Sequence, residues 1–128
     1  MLGRCARTGQ FGVAVTTSAI AVGTRCPFAR AGVGAALTQH RTDPRLGPAM
    51  LDLLAGGHDA PAAMARLVAA TADRDWRQLA LIDRRGATAI FTGAHVRATI
   101  SAAEGPDCAA LGNILRSDQV APAMVASF

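Results

Sequence analysis

From Gly32 to Leu54 the sequence passes through small apolar residues, a polar Thr38-Gln39 end, an Asp43-Pro44 pair and an apolar helical face, and this order limits the fold. Residues Gly32 to Gln39 carry small side chains that let a neighbouring layer approach closely, as a sheet core requires. Asp43 offers a carboxylate to the free N–H groups of a helix start, and Pro44 falls in the first turn, where its missing donor loses no bond. Leu46, Met50, Leu53 and Leu54 then recur at i, i+4, i+7 and i+8, one apolar face that Gly56-Gly57 ends. The segment predicts a buried strand and then an amphipathic helix, each needing a covering layer.

The flanking sequence extends the pattern. Phe11, Val13 and Val15 alternate with smaller residues at the period of a strand. Asp59 with Pro61 opens a second helix whose Met64, Leu67 and Val68 mark one face. Gln78 to Asp83 and Ala87 to Gly93, joined through Arg84-Arg85-Gly86, read as a hairpin, and Leu79 to Ile82 is apolar at every position, as if covered on both faces. A further strand is expected near Thr99 to Ala103. Cys108 is expected near the end of a polar loop. A last helix, starting at Asp118 or just beyond, carries Val120, Met124 and Phe128 on one face. Strands, two helices, then strands again make an α+β pattern within a single domain, residues 1–128.

Composition excludes several function classes. Hydrophobic residues make up 51% of the chain and charged ones 17%, and no apolar run approaches the roughly 18 residues of a membrane span. With no signal-like segment at the N-terminus, the expected location is cytoplasmic. The net charge of +4 comes from 13 basic residues, all arginine and scattered, so the clustered basic stripe of a nucleic-acid binder is missing. Cys5, Cys26 and Cys108, and His40, His58 and His95, lack metal-ligand spacing; they predict free thiols and no metal. Gly32-Val33-Gly34 continues into leucine where a dinucleotide fingerprint needs a third small residue, and no Gly-Lys-Ser/Thr follows, so no cofactor is expected.

The order of elements, with Phe11-Gly12-Val13-Ala14-Val15, Ala21-Val22-Gly23, Pro27-Phe28-Ala29-Arg30, Thr38-Gln39, Arg77-Gln78-Leu79, Thr92-Gly93 and Gly112-Asn113-Ile114-Leu115, resembles an uncharacterised bacterial family, domain-of-unknown-function family ten-twenty-eight. That family's fold is similar to the N-terminal-nucleophile (Ntn) hydrolases. The resemblance implies a four-layer αββα sandwich, here incomplete at both ends, in a short or truncated member. A sheet edge left open in this way favours a homo-oligomer.

The resemblance also implies a chemistry. In an Ntn hydrolase the first residue of the processed chain, a Thr, Ser or Cys, attacks an amide with its own α-amine as base. Here position 2 is Leu2, which offers no nucleophile. Cys5 is the only substitute nearby, and cleavage after Arg4 would be needed to free its amine; the residues before it are expected to be loosely held. Candidate ligand contacts are Ser18 after the first strand, Gln39 and His40 at the Thr-Gln strand end, Arg77 and Gln78 at the start of the next strand, and Asn113, a possible oxyanion donor. Each also has a bland reading: turn hydroxyl for Ser18, loop histidine for His40, salt bridge and edge hydrogen bond for Arg77 and Gln78, turn residue for Asn113. The functional expectation is an amide-hydrolase scaffold without its nucleophile. The alternative is a non-catalytic oligomeric or small-ligand-binding module, its ligand a small amide or peptide.

Overall fold

The structure, a computed structural model, describes residues Met1–Phe128. Two antiparallel sheets stack face to face. One has strand order β2-β1-β8-β7, formed by β1 (Leu2–Arg4), β2 (Phe11–Val13), β7 (Ser101–Gly105) and β8 (Cys108–Gly112). The other has order β3-β4-β5-β6, formed by β3 (Pro27–Arg30), β4 (Gly34–Gln39), β5 (Gln78–Asp83) and β6 (Thr88–Thr92). Helices α1 (Leu46–Ala55) and α2 (Ala60–Ala70) lie on the second sheet, and α3 (Val120–Ala126) lies on the first. The result is an α+β sandwich of two four-stranded sheets with helices outside. No helix is long and apolar enough to cross a membrane.

The unbroken apolar run in β5 follows from this layering. Leu79 and Leu81 point into the core shared with α1 and α2, beside Met50, Leu51, Leu54, Met64 and Leu67. Ala80 and Ile82, on the opposite face, meet Leu2, Ala109 and Leu111 of the other sheet. The same alternation in β4 sends Ala36 to the helices and Ala35 and Leu37 to the inter-sheet layer. At Gly34 a β-carbon would strike the Ile82 carbonyl oxygen of the adjacent strand and the Leu54 side chain of α1, so the position leaves no room for a side chain.

Several expectations are corrected. The first residues are not loosely held: β1 pairs with both β2 and β8, and Leu2 is fully buried between the sheets. Cys108 begins a buried strand, not the end of a polar loop. Helix α1 starts at Leu46, because the Asp43 carboxylate turns to the N–H and guanidinium of Arg45 and makes a tight turn there. The face of α3 that meets its sheet carries Ala121, buried, together with Val125 and Phe128, which press on Gly105 and Gly3. Val120 and Met124 turn toward a cavity instead.

Asp59 caps α2 by accepting from the Ala62 N–H at 2.8 Å. A second carboxylate supports the same helix start from a distance: buried Asp83 accepts from the N–H of Ala60 as well as from Arg85 and Ala87 in the β5–β6 turn. Asp83 therefore couples that turn to α2.

Candidate functional site

Antiparallel pairing brings the start of β1 and β5 and the end of β2, β4 and β8 to one edge of the sandwich. There the chain encloses a cavity of about 600 Å³, walled by residues from these strand ends, the loops after β2 and β4, and α3. This is the size range of small-molecule sites.

At its base, Gln39 and Gln78 are cross-strand partners, and Asn113 follows β8. Gln78 is fully buried, and its amide is completely used. Its Nε2 donates to the Gly112 carbonyl at 3.0 Å and to Thr92 Oγ1 at 3.4 Å, while its Oε1 accepts from Gln39 Nε2 at 2.7 Å and from Asn113 Nδ2 at 2.9 Å. Because a carbonyl can only accept, Gly112 fixes which end of the Gln78 amide faces it, and Oε1 is left for the other two amides. Each of them must then offer an N–H inward. Gln39 and Asn113 line the cavity, and each keeps a carbonyl oxygen and one N–H for a ligand. Gln78 does not line it; Gln78 is a positioning residue that ties the two sheets together at the site.

His40 also lines the cavity. Its Nδ1 donates to the Trp76 carbonyl at 2.9 Å, which leaves Nε2 as an acceptor in the neutral ring. The ring lies parallel to the Trp76 indole, whose other neighbours are the His95 ring at 4.8 Å and the Arg41 guanidinium, 3.7 Å from the indole centroid. Trp76 thus serves as a platform against which His40 and Arg41, both lining the cavity, are packed. His40 and Arg41 both have positive φ, 52° and 41°, so the chain turns sharply as it leaves β4 and aims both side chains sideways.

The remaining candidates are distributed differently. Arg77 donates to the Arg41 carbonyl, lies 3.7 Å from the Asp73 carboxylate and does not line the cavity. Ser18 sits exposed in the loop after β2, its neighbours Thr17 and Ala19 lining the cavity in its place. Cys5 is exposed in the β1–β2 turn, at the end of β1 remote from Met1, and does not line the cavity. Hydrogen bonding to Thr8 lowers its thiol pKa. At the other end of β1, the Met1 amine donates to the Ala14 carbonyl at 2.9 Å, and burial lowers its pKa. No three His, Cys, Asp or Glu side chains gather to hold a metal.

Cys26, read from the sequence only as a free thiol, lines the cavity too, as do Arg25 and Arg41, which were not singled out from the sequence. Strand register could have found Arg25. Pro27 pairs with Leu37, and the Thr38 N–H donates to the Cys26 carbonyl, so the end of β4 is tied to the residue next to Arg25, which sits in the turn before β3.

Over residues 1–128 the chain matches a family of unknown function, DUF1028. The crystal structure of protein SPO2555 from Silicibacter pomeroyi, described with the same family, is similar at a TM-score of 0.94 and 26% sequence identity. That match covers 98% of this chain and 58% of SPO2555. No curated protein matches. A match along its whole length, with a solved relative of the same fold and family, shows that the chain belongs to the DUF1028 family.

Proposed function

We propose that the domain is an Ntn-hydrolase-like scaffold that binds a small amide-bearing molecule in this cavity without hydrolysing it. The observation that carries the reading is the Gln39–Gln78–Asn113 arrangement. Two side-chain amides, oriented by a third, each present a donor and an acceptor, the complement of an amide's own C=O and N–H. Two antiparallel sheets stacked with helices outside support the Ntn-like scaffold that the family resemblance implies.

The case against turnover rests on two features. At the strand start from which an Ntn hydrolase presents its nucleophile stands Leu2, a hydrocarbon fully buried in the inter-sheet core. Among the cavity's own hydroxyls and thiol, Cys26 Sγ meets only Thr42 Oγ1, at 3.7 Å, and none is hydrogen-bonded to the His40 imidazole. All walls of the cavity come from one chain, so the reading does not depend on the homo-oligomer expected from the open sheet edges.

The test is calorimetric titration with neutral N-acetyl-amino-acid amides, with proton NMR of the same samples over days. Saturable binding is expected, weakened about tenfold in Gln39→Ala and in Asn113→Ala, the effect of one good hydrogen bond each. Release of acetate or ammonia would overturn the non-catalytic reading. Unchanged affinity in both variants would overturn the amide contacts.

A further inference from the structure

Charge is distributed unevenly around the cavity. Arg25, His40 and Arg41 line it, and no Asp or Glu does. Carboxylates nearby in the chain are already engaged: Asp43 is held bidentately by Arg45 at 2.9 and 2.7 Å, and Asp73 lies beside Arg77. Neither Arg25 nor Arg41 forms an ion pair within the chain.

Arg25 is the more informative of the two. It is half-buried, and its Nε is shielded from solvent with no hydrogen-bond partner. A buried donor on a permanent cation costs free energy unless something accepts from it. Arg41 is held differently, with its guanidinium carbon 3.7 Å from the Trp76 ring centroid. A cation–π contact of that kind restrains the group while leaving N–H donors for an anion. One arginine shares the cavity wall with Gln39, and a second lies against Trp76.

On this basis, and resting on the amide reading above, we propose that the ligand joins a carboxylate to its amide: a molecule of the N-acyl-amino-acid class. Its amide meets Gln39 and Asn113, and its carboxylate meets the guanidinium of Arg25, with Arg41 closing the rim. Arg25 and Gln39 line the same cavity, and their chain neighbours Cys26 and Thr38 are joined by a backbone hydrogen bond, which keeps the two subsites within one small molecule's span. A guanidinium fork suits a planar carboxylate in a way that a lone ammonium would not.

The test compares N-acetyl-alanine with N-acetyl-alaninamide, which differ only in the carboxylate, by calorimetry on the whole chain. The acid should bind about tenfold or more tightly than the amide, the worth of a charge-assisted hydrogen bond, and the preference should shrink with added salt. Arg25→Gln should abolish the preference, weakening the acid more than the neutral probe. Equal binding of the two probes by the unaltered chain overturns the carboxylate subsite and leaves the amide reading standing. Failure of both to bind overturns the amide reading, and the subsite with it. A preference for the acid that persists in both Arg25→Gln and Arg41→Gln also overturns the assignment. The first comparison needs no variant, so a folding defect in Arg25→Gln would not shield the proposal.

Discussion

Gln78→Met is the substitution that most directly tests how this site is held. The methionine matches glutamine closely in length but removes every hydrogen bond its amide makes. Three of those bonds have good geometry, at 2.7, 2.9 and 3.0 Å, and the fourth, at 3.4 Å, is marginal. At about 1 kcal/mol net for each good bond, the loss is about 3 kcal/mol, offset by less than about 1 kcal/mol from burying a more apolar side chain. Gln39 and Asn113 can turn to water in the cavity, so the lasting penalty falls on the Gly112 carbonyl. Urea unfolding should therefore show a loss of about 2 to 3 kcal/mol, a drop in midpoint of about 1 to 2 M. Binding of the neutral amide probe should weaken as well, because both recognition amides lose their orientation.

Gln78→Glu refines the test through pH. In its neutral form the new carboxyl can donate to the Gly112 carbonyl and accept from Gln39 and Asn113, preserving the network. Ionised, it sets a buried negative charge against that carbonyl oxygen. Its folded pKa is then raised above the unfolded value of about 4.3. For an acid raised on folding, stability is retained below the unfolded value and lost as pH rises through the folded one. The gap to the unaltered chain should be small near pH 4 and wide near pH 7.5. A Gln78→Met variant within about 0.5 kcal/mol of the parent, well inside the worth of one hydrogen bond, would refute the keystone role. A pH-independent gap for Gln78→Glu would refute the orientation assigned to the amide.

Two further outcomes follow from carboxylates elsewhere. Asp83→Ala strips three backbone N–H groups of their acceptor, at 3.1, 2.8 and 3.2 Å, and should cost about 3 kcal/mol or more by chemical denaturation; Asp83→Asn, which keeps one acceptor oxygen, should fall between. The guanidinium of Arg45 holds the Asp43 carboxyl at a pKa of about 2, so its contribution to stability is present above the ordinary value of 3.8 and fades as pH falls toward 2. A carbon-13 NMR titration should find that midpoint, and Arg45→Ala should move it up toward 3.8; an unmoved midpoint would remove Arg45 as the cause.

The sequence was informative where periodicity and burial point the same way. β5 is buried at every position, as its unbroken apolar run demands, and the Asp59–Pro61 start of α2 is a true cap. Legibility failed where tertiary pairing overrides local signal. Leu2-Gly3-Arg4 is too short to show a strand period, yet two neighbours hold it in the sheet. Cys108 to Leu111 consists mostly of small residues, which carry little pattern, although all four are buried. At the site, Gln39 and Asn113 were visible as polar residues at strand ends, but their joint orientation by Gln78 depends on two sheets meeting, which no local motif encodes. Arg25 required register; Trp76 required the turn at His40 and Arg41.

The position of β1 also bears on Cys5, the only substitute nucleophile that the sequence offers near the chain start. Freeing its amine means removing Met1 to Arg4, and with them the whole of β1, Leu2 to Arg4. That strand lies between β2 and β8, so its loss would break the hydrogen-bonded continuity of one sheet, not trim a tail. Leu2 would leave the inter-sheet core, where burying a leucine contributes about 1.5 to 3 kcal/mol before any cavity is counted. Arg4 would take with it the 2.9 Å ion pair to Asp107 at the β7–β8 turn. What remained would present Cys5 at the exposed β1–β2 turn, four strand residues and about 13 Å from the edge where Gln39, Asn113 and Arg25 converge. Processing at that bond would damage the sheet that builds the cavity and still leave the thiol outside it. The fold thus uses β1 to join β2 to β8, and leaves Cys5 at the end of that strand away from the cavity.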